Sequence, residues 1–248
     1  MRGNNFGDNL SKYIVEYLSG DTVIWTDYME SDIIAAGSIL QNIPQEYKGY
    51  IWGSGMMYSR SRKTFTNAHV LAVRGYLSLD AIECTNKESV AVGDPGLLCP
   101  LLIDILPKKR YKLGVIPHFV DKNDPIIKTI AQKSSEITVI DILKPVKEVI
   151  RRAAECEYII SSSLHGLILA DSLGIPADWI ELNNCEQKVD GNGHKFRDYF
   201  TVYGIMDKKP MELTFNDTID SIIGKIGDYN RPSIKDLQDG LIQTFPYR

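Results

Sequence analysis

An α/β protein with parallel sheets covered by helices is the fold class that the sequence predicts, and three observations predict it. Short apolar runs bounded by Gly, Pro, Asn or Asp alternate with amphipathic helical patterns along almost the whole chain. The 248 residues, 44% hydrophobic and 24% charged, suffice for two modest domains or one large one of ordinary globular composition. The stretch 101–111 carries Pro107 and the basic run Lys108-Lys109-Arg110, and is the best candidate for a linker. The expected division is therefore a first domain over 1–105 and a second over 106–248.

In the first half a helix is expected over 9–18, with Asp8 placed to cap it. Strands follow over 22–25, 33–36 and 49–52. The last two run into Gly37-Ser38 and Gly53-Ser54-Gly55, where missing side chains let a backbone approach a ligand or simply make a turn. A strand over 69–73 ends in Arg74-Gly75, and a helix is expected over 78–84. A short strand over 90–92 leads to Gly93-Asp94-Pro95-Gly96, which reads as a tight turn.

The second half begins with a strand over 112–116 that ends in Pro117-His118. Helices over 124–133 and 145–156 flank a strand over 137–140. The second of these carries an apolar stripe of Val146, Val149, Ile150, Ala153 and Ala154, with Lys144, Lys147, Arg151 and Arg152 largely on a solvated face. A strand over 158–160 then runs through Ser161-Ser162-Ser163 into a helix over 164–173, closed by Gly174 and Pro176. A strand over 179–182 and helices over 196–203, 216–226 and 233–245 complete the chain. Leu237, Leu241, Ile242 and Phe245 give the last helix an apolar stripe, expected to pack back on the first domain rather than lie on a membrane.

Bulk properties exclude some functions. A net charge of −4 argues against nucleic acid as the main partner. No apolar run is long enough to span a bilayer, and Met1-Arg2-Gly3-Asn4 does not start a signal peptide. Cys84, Cys99, Cys156 and Cys185 form no C-x-x-C pair and no metal-ligand spacing, so reduced thiols, a cytoplasmic location and no metal are expected.

The segment Ser161-Ser162-Ser163-Leu164-His165-Gly166 carries the most chemistry. It lies where a strand turns into a helix, so backbone N–H groups and the positive helix end suit an anion. An imidazole there has reason to stay neutral and act as a base, which singles out His165. His118 also ends a strand, where it is either structural or a second proton-transfer group. Arg74 can grip a carboxylate or phosphate, or make an ion pair. Lys195 and Arg197, after the turn Gly191-Asn192-Gly193-His194, can supply cations or lie on a surface helix.

Taken in order, Asn5-Phe6-Gly7-Asp8, Gly53-Ser54-Gly55, Arg74-Gly75, Gly93-Asp94-Pro95, Ile116-Pro117-His118, Ser161 to Gly166 and Lys195-Phe196-Arg197-Asp198-Tyr199 resemble the polysaccharide pyruvyl transferase family. The Ile-Pro-His-Phe form is similar to its bacterial exopolysaccharide branch, which makes pyruvate ketals. The resemblance implies two Rossmann-like domains facing a cleft, similar to a GT-B glycosyltransferase. It implies transfer of pyruvate from phosphoenolpyruvate, a co-substrate rather than a cofactor, to two hydroxyls of a sugar. The acceptor would be a sugar or lipid-linked oligosaccharide, handled in the cytoplasm with peripheral contact to the inner membrane.

The implied catalytic residues are His165 and His118. The implied donor site is Ser161, Ser163, Leu164, Gly166, Arg74, Lys195 and Arg197, and the acceptor side is Asn5, Asp8, Gly53, Ser54 and Gly55. Ser163 stands where some members carry arginine, so the missing charge must come from elsewhere. Members also carry a strand before the Asn-Phe-Gly-Asp loop, and with four residues there this chain is expected to lack it. The competing classes are a nucleotide-sugar glycosyltransferase, separable by nucleotide binding, and a non-catalytic binding protein of the same fold, separable by ligand protection without turnover.

Overall fold

The structure is a computed structural model and describes residues 6–182 and 191–247. Its elements are helix α1 (Phe6–Ser19), strands β1 (Ile33–Ile34), β2 (Tyr50–Ser54), β3 (Lys63–Phe65) and β4 (His69–Val73), and helix α2 (Tyr76–Asp80). Strands β5 (Ile82–Cys84), β6 (Ala91–Val92) and β7 (Tyr111–Ile116) follow, then α3 (Pro125–Gln132), β8 (Ile137–Val139), α4 (Val146–Ala154), β9 (Cys156–Ser161), α5 (Leu164–Ser172) and β10 (Ala177–Glu181). The remainder is α6 (His194–Phe200), β11 (Met211–Glu212), α7 (Ile219–Ile226) and α8 (Ile234–Thr244). The parallel sheets flanked by helices that the alternation predicts are present. The chain divides into two compact units: one takes Gly7–Leu98, Asp190–Lys208 and Pro232–Arg248, the other Met1–Phe6, Cys99–Val189 and Lys209–Arg231.

The first unit holds a parallel sheet in the order β1-β2-β4-β6. Its core gathers Ile34, Leu40, Ile51, Val70, Val73, Phe65 and Ile82. Helix α8 belongs to this unit: Leu241 is fully buried, and the Trp52 indole N–H donates to the Leu241 carbonyl at 3.0 Å. A buried indole must find such an acceptor, which fixes the helix as well as the ring.

The second unit holds five parallel strands in the order β11-β10-β9-β7-β8, with Leu113 opposite Tyr158 and Ile116 opposite Ser161. From β7 the chain moves outward to β8 on one side and later to β9 on the other. The carboxyl ends of β7 and β9 therefore flank the point where the winding reverses, the place where open α/β sheets bind ligands. Buried Leu113, Val115, Ile160 and Ile180 face Ile126, Ile127 and Ile130 of α3. Asp124 caps that helix by accepting the Ile126 N–H at 2.8 Å, with Pro125 in the first turn.

Three local expectations change. No strand forms over 22–25, where Ile24 and Trp25 are exposed and the β-branched run finds no neighbouring strand to pair with. The helix expected over 78–84 stops at Asp80, and the chain turns into β5, which pairs in parallel with β3 and sends Ile82 into the core. Strand β11 was not anticipated; two residues suffice because β10 supplies its ladder.

Candidate functional site

At the β7/β9 edge of the second unit the side chains interlock. The fully buried Ser161 hydroxyl donates to the Ile116 carbonyl at 2.6 Å and accepts the Ser163 N–H at 3.0 Å. It thereby stitches the two strand ends and shapes the turn into α5. The Ser162 hydroxyl accepts the His118 backbone N–H at 2.9 Å and donates to Asp121 Oδ2 at 2.6 Å. Asp121 and Ser162 are both 2% exposed, so this is a buried bond that holds the loop after β7 against the start of α5. Asp121 N–H in turn donates to the His118 carbonyl at 2.8 Å, closing the loop on itself.

His118 and His165 lie beside this framework and are both half-buried, with the His165 Nε2 atom itself buried. His165 is the second residue of α5, and Ser163 is its cap residue, with extended backbone. Gly166 is required at its position: a Cβ there would lie 2.3 Å from Ser161 Oγ and 2.9 Å from Ile116 Cγ2. The helix start can come this close to both strands only without a side chain. Ser161, Ser163, Leu164, His165, Gly166 and His118 thus share one edge of one sheet, with buried Leu164 anchoring the helix below. Proton donors and acceptors beside a helix amino end can hold a small anion and move protons to and from it.

The carboxyl edge of the first unit's sheet is built differently. Arg74, just past β4, is 1% exposed, and its Nε and Nη2 lie 2.9 Å from Asp198 Oδ2. Its other N–H groups donate to the Ser38 hydroxyl and to the Met56 carbonyl. Asp198 is fully buried and also accepts the Ser78 N–H at 2.8 Å and the Ser78 hydroxyl at 2.6 Å. Thr201 accepts the Tyr76 N–H at 2.9 Å. Residues of and just beyond α6 therefore satisfy the amide groups at the start of α2, which no side chain of α2 itself caps. The Arg74 charge is matched inside the protein by Asp198.

The glycines at this edge have equally local reasons. Gly53 has φ +89°, and a Cβ there would lie 2.1 Å from Pro95 Cδ; at Gly55 a Cβ would lie 2.3 Å from the Arg74 guanidinium carbon. The room that these missing side chains leave is taken by Pro95 and Arg74. Ser54 is fully buried, and its hydroxyl donates to the Ala35 carbonyl. Asp94 follows β6 and is 1% exposed; Oδ1 accepts the Gly96 N–H at 2.8 Å, and Oδ2 is buried without a hydrogen bond. Burial pushes its carboxyl up to about 6 against the pull of the Gly96 amide and Arg74.

Lys195 is 9% exposed, with its ammonium 5.6 Å from the Phe196 ring, and Arg197 donates to the Asn192 carbonyl at 2.6 Å. Both belong to the first unit, as do Arg74, Gly53, Ser54 and Gly55. Asn5, the Asp8 side chain and Cys185 lie outside the described residues. Burial pushes the thiols of Cys99 and Cys156 up to about 12, which leaves them inert at neutral pH. Among the described residues no group of three or more His, Cys, Asp or Glu side chains is placed to hold a metal ion, and no helix is long and apolar enough to cross a membrane.

Sequence reasoning gave no role to Asp121, Ser162, Ser78 or Asp198. Ser162 sat inside the serine run, and Asp121 three residues beyond His118, but neither pairing has a spacing rule. For Asp198, the signal was an acid in a motif of the same chain as an arginine at a strand end.

The family model for polysaccharide pyruvyl transferase matches residues 2–184. Uncharacterized protein L143 of Acanthamoeba polyphaga mimivirus is 32% identical over 211 residues, covering 81% of this chain and 71% of that protein. The succinoglycan biosynthesis protein ExoV of Rhizobium meliloti (strain 1021) is 25% identical over 207 residues, covering 81% of this chain and 62% of ExoV. No solved structure matches.

Proposed function

The chain belongs to the polysaccharide pyruvyl transferase family, and we propose that it transfers pyruvate from phosphoenolpyruvate to two hydroxyls of one sugar, releasing phosphate and leaving a cyclic ketal. The observation that carries this reading is the pair of half-buried imidazoles, His165 and His118, on a buried serine–aspartate framework at the β7/β9 switch point. That framework lies within the matched segment.

The donor bears a carboxylate and a phosphate, and the amide end of α5, with Ser161, Ser163, Leu164 and Gly166 shaping it, offers a place for one of them. The reaction begins with a proton added to the methylene carbon, which leaves the neighbouring carbon cationic. A sugar hydroxyl attacks that carbon and loses its proton, and phosphate departs with the C–O bonding pair. The second hydroxyl then closes the ring and loses its own proton. Protons are therefore given once to carbon and taken from two hydroxyls, with one leaving on phosphate. His165 is assigned this proton work and His118 assists. Lys195 and Arg197 are assigned to donor charge, while Arg74 has its charge offset by Asp198.

The acceptor is proposed to be a polysaccharide precursor, free or lipid-linked, modified in the cytoplasm. The GT-B-like pairing of two Rossmann-like domains is part of the same proposal, in keeping with two α/β units that each hold a parallel sheet. The test is incubation with phosphoenolpyruvate and a panel of sugar acceptors, with phosphate measured and the product examined by NMR for a ketal carbon. Phosphate release that depends on acceptor, together with that carbon, supports the reading. Nucleotide-sugar turnover without either would replace it with glycosyl transfer.

A further inference from the structure

The first unit has a recess on the amino edge of its sheet, opposite the edge that carries Gly53, Arg74 and Asp94. It is an open groove of about 560 Å³ at the starts of β1, β2 and β4. That volume lies within the roughly 300–1,000 Å³ usual for small-molecule sites. Its aromatic wall is Tyr50, tilted at 35° to His69 with centroids 5.3 Å apart and met edge-on by Tyr247 at 5.6 Å. Tyr247 packs on Phe245 at 5.9 Å, and Phe245 on the buried Trp52 at 4.9 Å, so the wall is continuous with the core. Glu30, Asp32 and Lys48 line the rim and are exposed. Burial and the nearby Asp32 carboxylate raise the Tyr247 hydroxyl above its ordinary value.

The chemistry of this lining selects its ligand. Two carboxylates against one ammonium disfavour an anion, while Lys48 disfavours a simple cation. The carboxylates, ammonium and imidazole of the lining disfavour an aliphatic chain. Aromatic faces with carboxylate acceptors and an ammonium donor suit a neutral molecule with C–H faces and many hydroxyls. We propose that this groove binds a segment of neutral saccharide, a site for the polymer separate from the one where pyruvate is transferred. Only the inference that the saccharide is the enzyme's own acceptor polymer rests on the pyruvyl transferase reading; the binding does not.

The test is a titration of the full chain by NMR with cellotetraose, maltotetraose and mannotetraose, with acetate and choline as ionic controls. Saturable shifts of the Tyr247 and His69 signals by a tetrasaccharide are expected, weakened about tenfold or more in Tyr247→Ala and in Asp32→Asn. Neither residue is deep in the core, and circular dichroism checks that both variants fold. No binding by any tetrasaccharide overturns the proposal, as does tighter binding of acetate or choline, or unchanged affinity in both variants. Phosphate release from phosphoenolpyruvate with a monosaccharide acceptor is expected to be equal in wild type and variants. A loss of saccharide binding with turnover intact thus separates the groove from the catalytic reading.

Discussion

Replacing Asp198 by Ala removes one partner of a pair that is buried on both sides, Arg74 at 1% and Asp198 at 0% exposure. It also strips the Ser78 N–H and hydroxyl of their acceptor. The guanidinium keeps the Ser38 hydroxyl and the Met56 carbonyl, but among the described residues no counter-charge within bonding distance is left to it. Breaking a buried pair from one side costs about 3–5 kcal/mol, because a charge is left in low dielectric. An orphaned buried amide alone costs about 1–3 kcal/mol, and the two terms overlap rather than add. The expected loss for Asp198→Ala is therefore roughly 4 kcal/mol, a large part of the 5–15 kcal/mol that holds a typical domain. Asp198→Asn keeps an acceptor for Ser78 and should lie between wild type and Ala. The assay is urea unfolding followed by tryptophan fluorescence in a Trp25→Phe, Trp179→Phe background, where the buried Trp52 reports on the same unit. Arg74→Met in the Asp198→Ala background should restore part of the loss by removing the unmatched charge. An Asp198→Ala midpoint within about 1 kcal/mol of wild type would refute the reasoning.

Asp94 gives a pH signature: its folded carboxyl stands at about 6 against an ordinary 3.8, so the folded chain binds its proton more tightly. Its contribution is fully present below pH 4 and is lost as pH rises through about 6, by roughly 3 kcal/mol. Asp94→Asn should flatten that slope in urea midpoints and be the more stable protein at pH 7.5; parallel profiles would contradict this. Ser162→Ala removes the acceptor of the His118 N–H and the donor to Asp121. If His118 takes part in proton transfer, displacing its loop by a fraction of an ångström should lower kcat about tenfold or more with a smaller change in donor KM; an unchanged kcat counts against the loop's role. Arg197→Gln should raise donor KM severalfold if its guanidinium meets donor charge, and steady-state kinetics with phosphoenolpyruvate varied would show it.

The sheet of the second unit, β11 apart, was legible because β7, β9 and β10 are central strands with apolar residues buried along their length. The β3–β5 pair was not, because Lys63-Thr64-Phe65 has no apolar period and its partner lay inside a helical pattern. Conversely, Thr22-Val23-Ile24 has strand propensity but no neighbour to pair with, and propensity alone does not bury a chain. At the candidate site the serine run and both histidines were visible because they follow apolar strands directly. Ser162 with Asp121, and Arg74 with Asp198, were not visible, since each bond joins residues 41 or 124 positions apart. The glycines of Gly53-Ser54-Gly55 announced a close approach, but whether ligand or protein fills the space depends on Pro95 and Arg74, which only the fold brings there.

The most direct measurement is acceptor-dependent phosphate release from phosphoenolpyruvate by His165→Ala, with circular dichroism to check folding. His165 sits half-buried at the head of α5, so its loss should leave the fold intact and lower turnover about 10²–10⁴-fold. Turnover within about twofold of wild type would contradict the assignment of proton transfer to this imidazole.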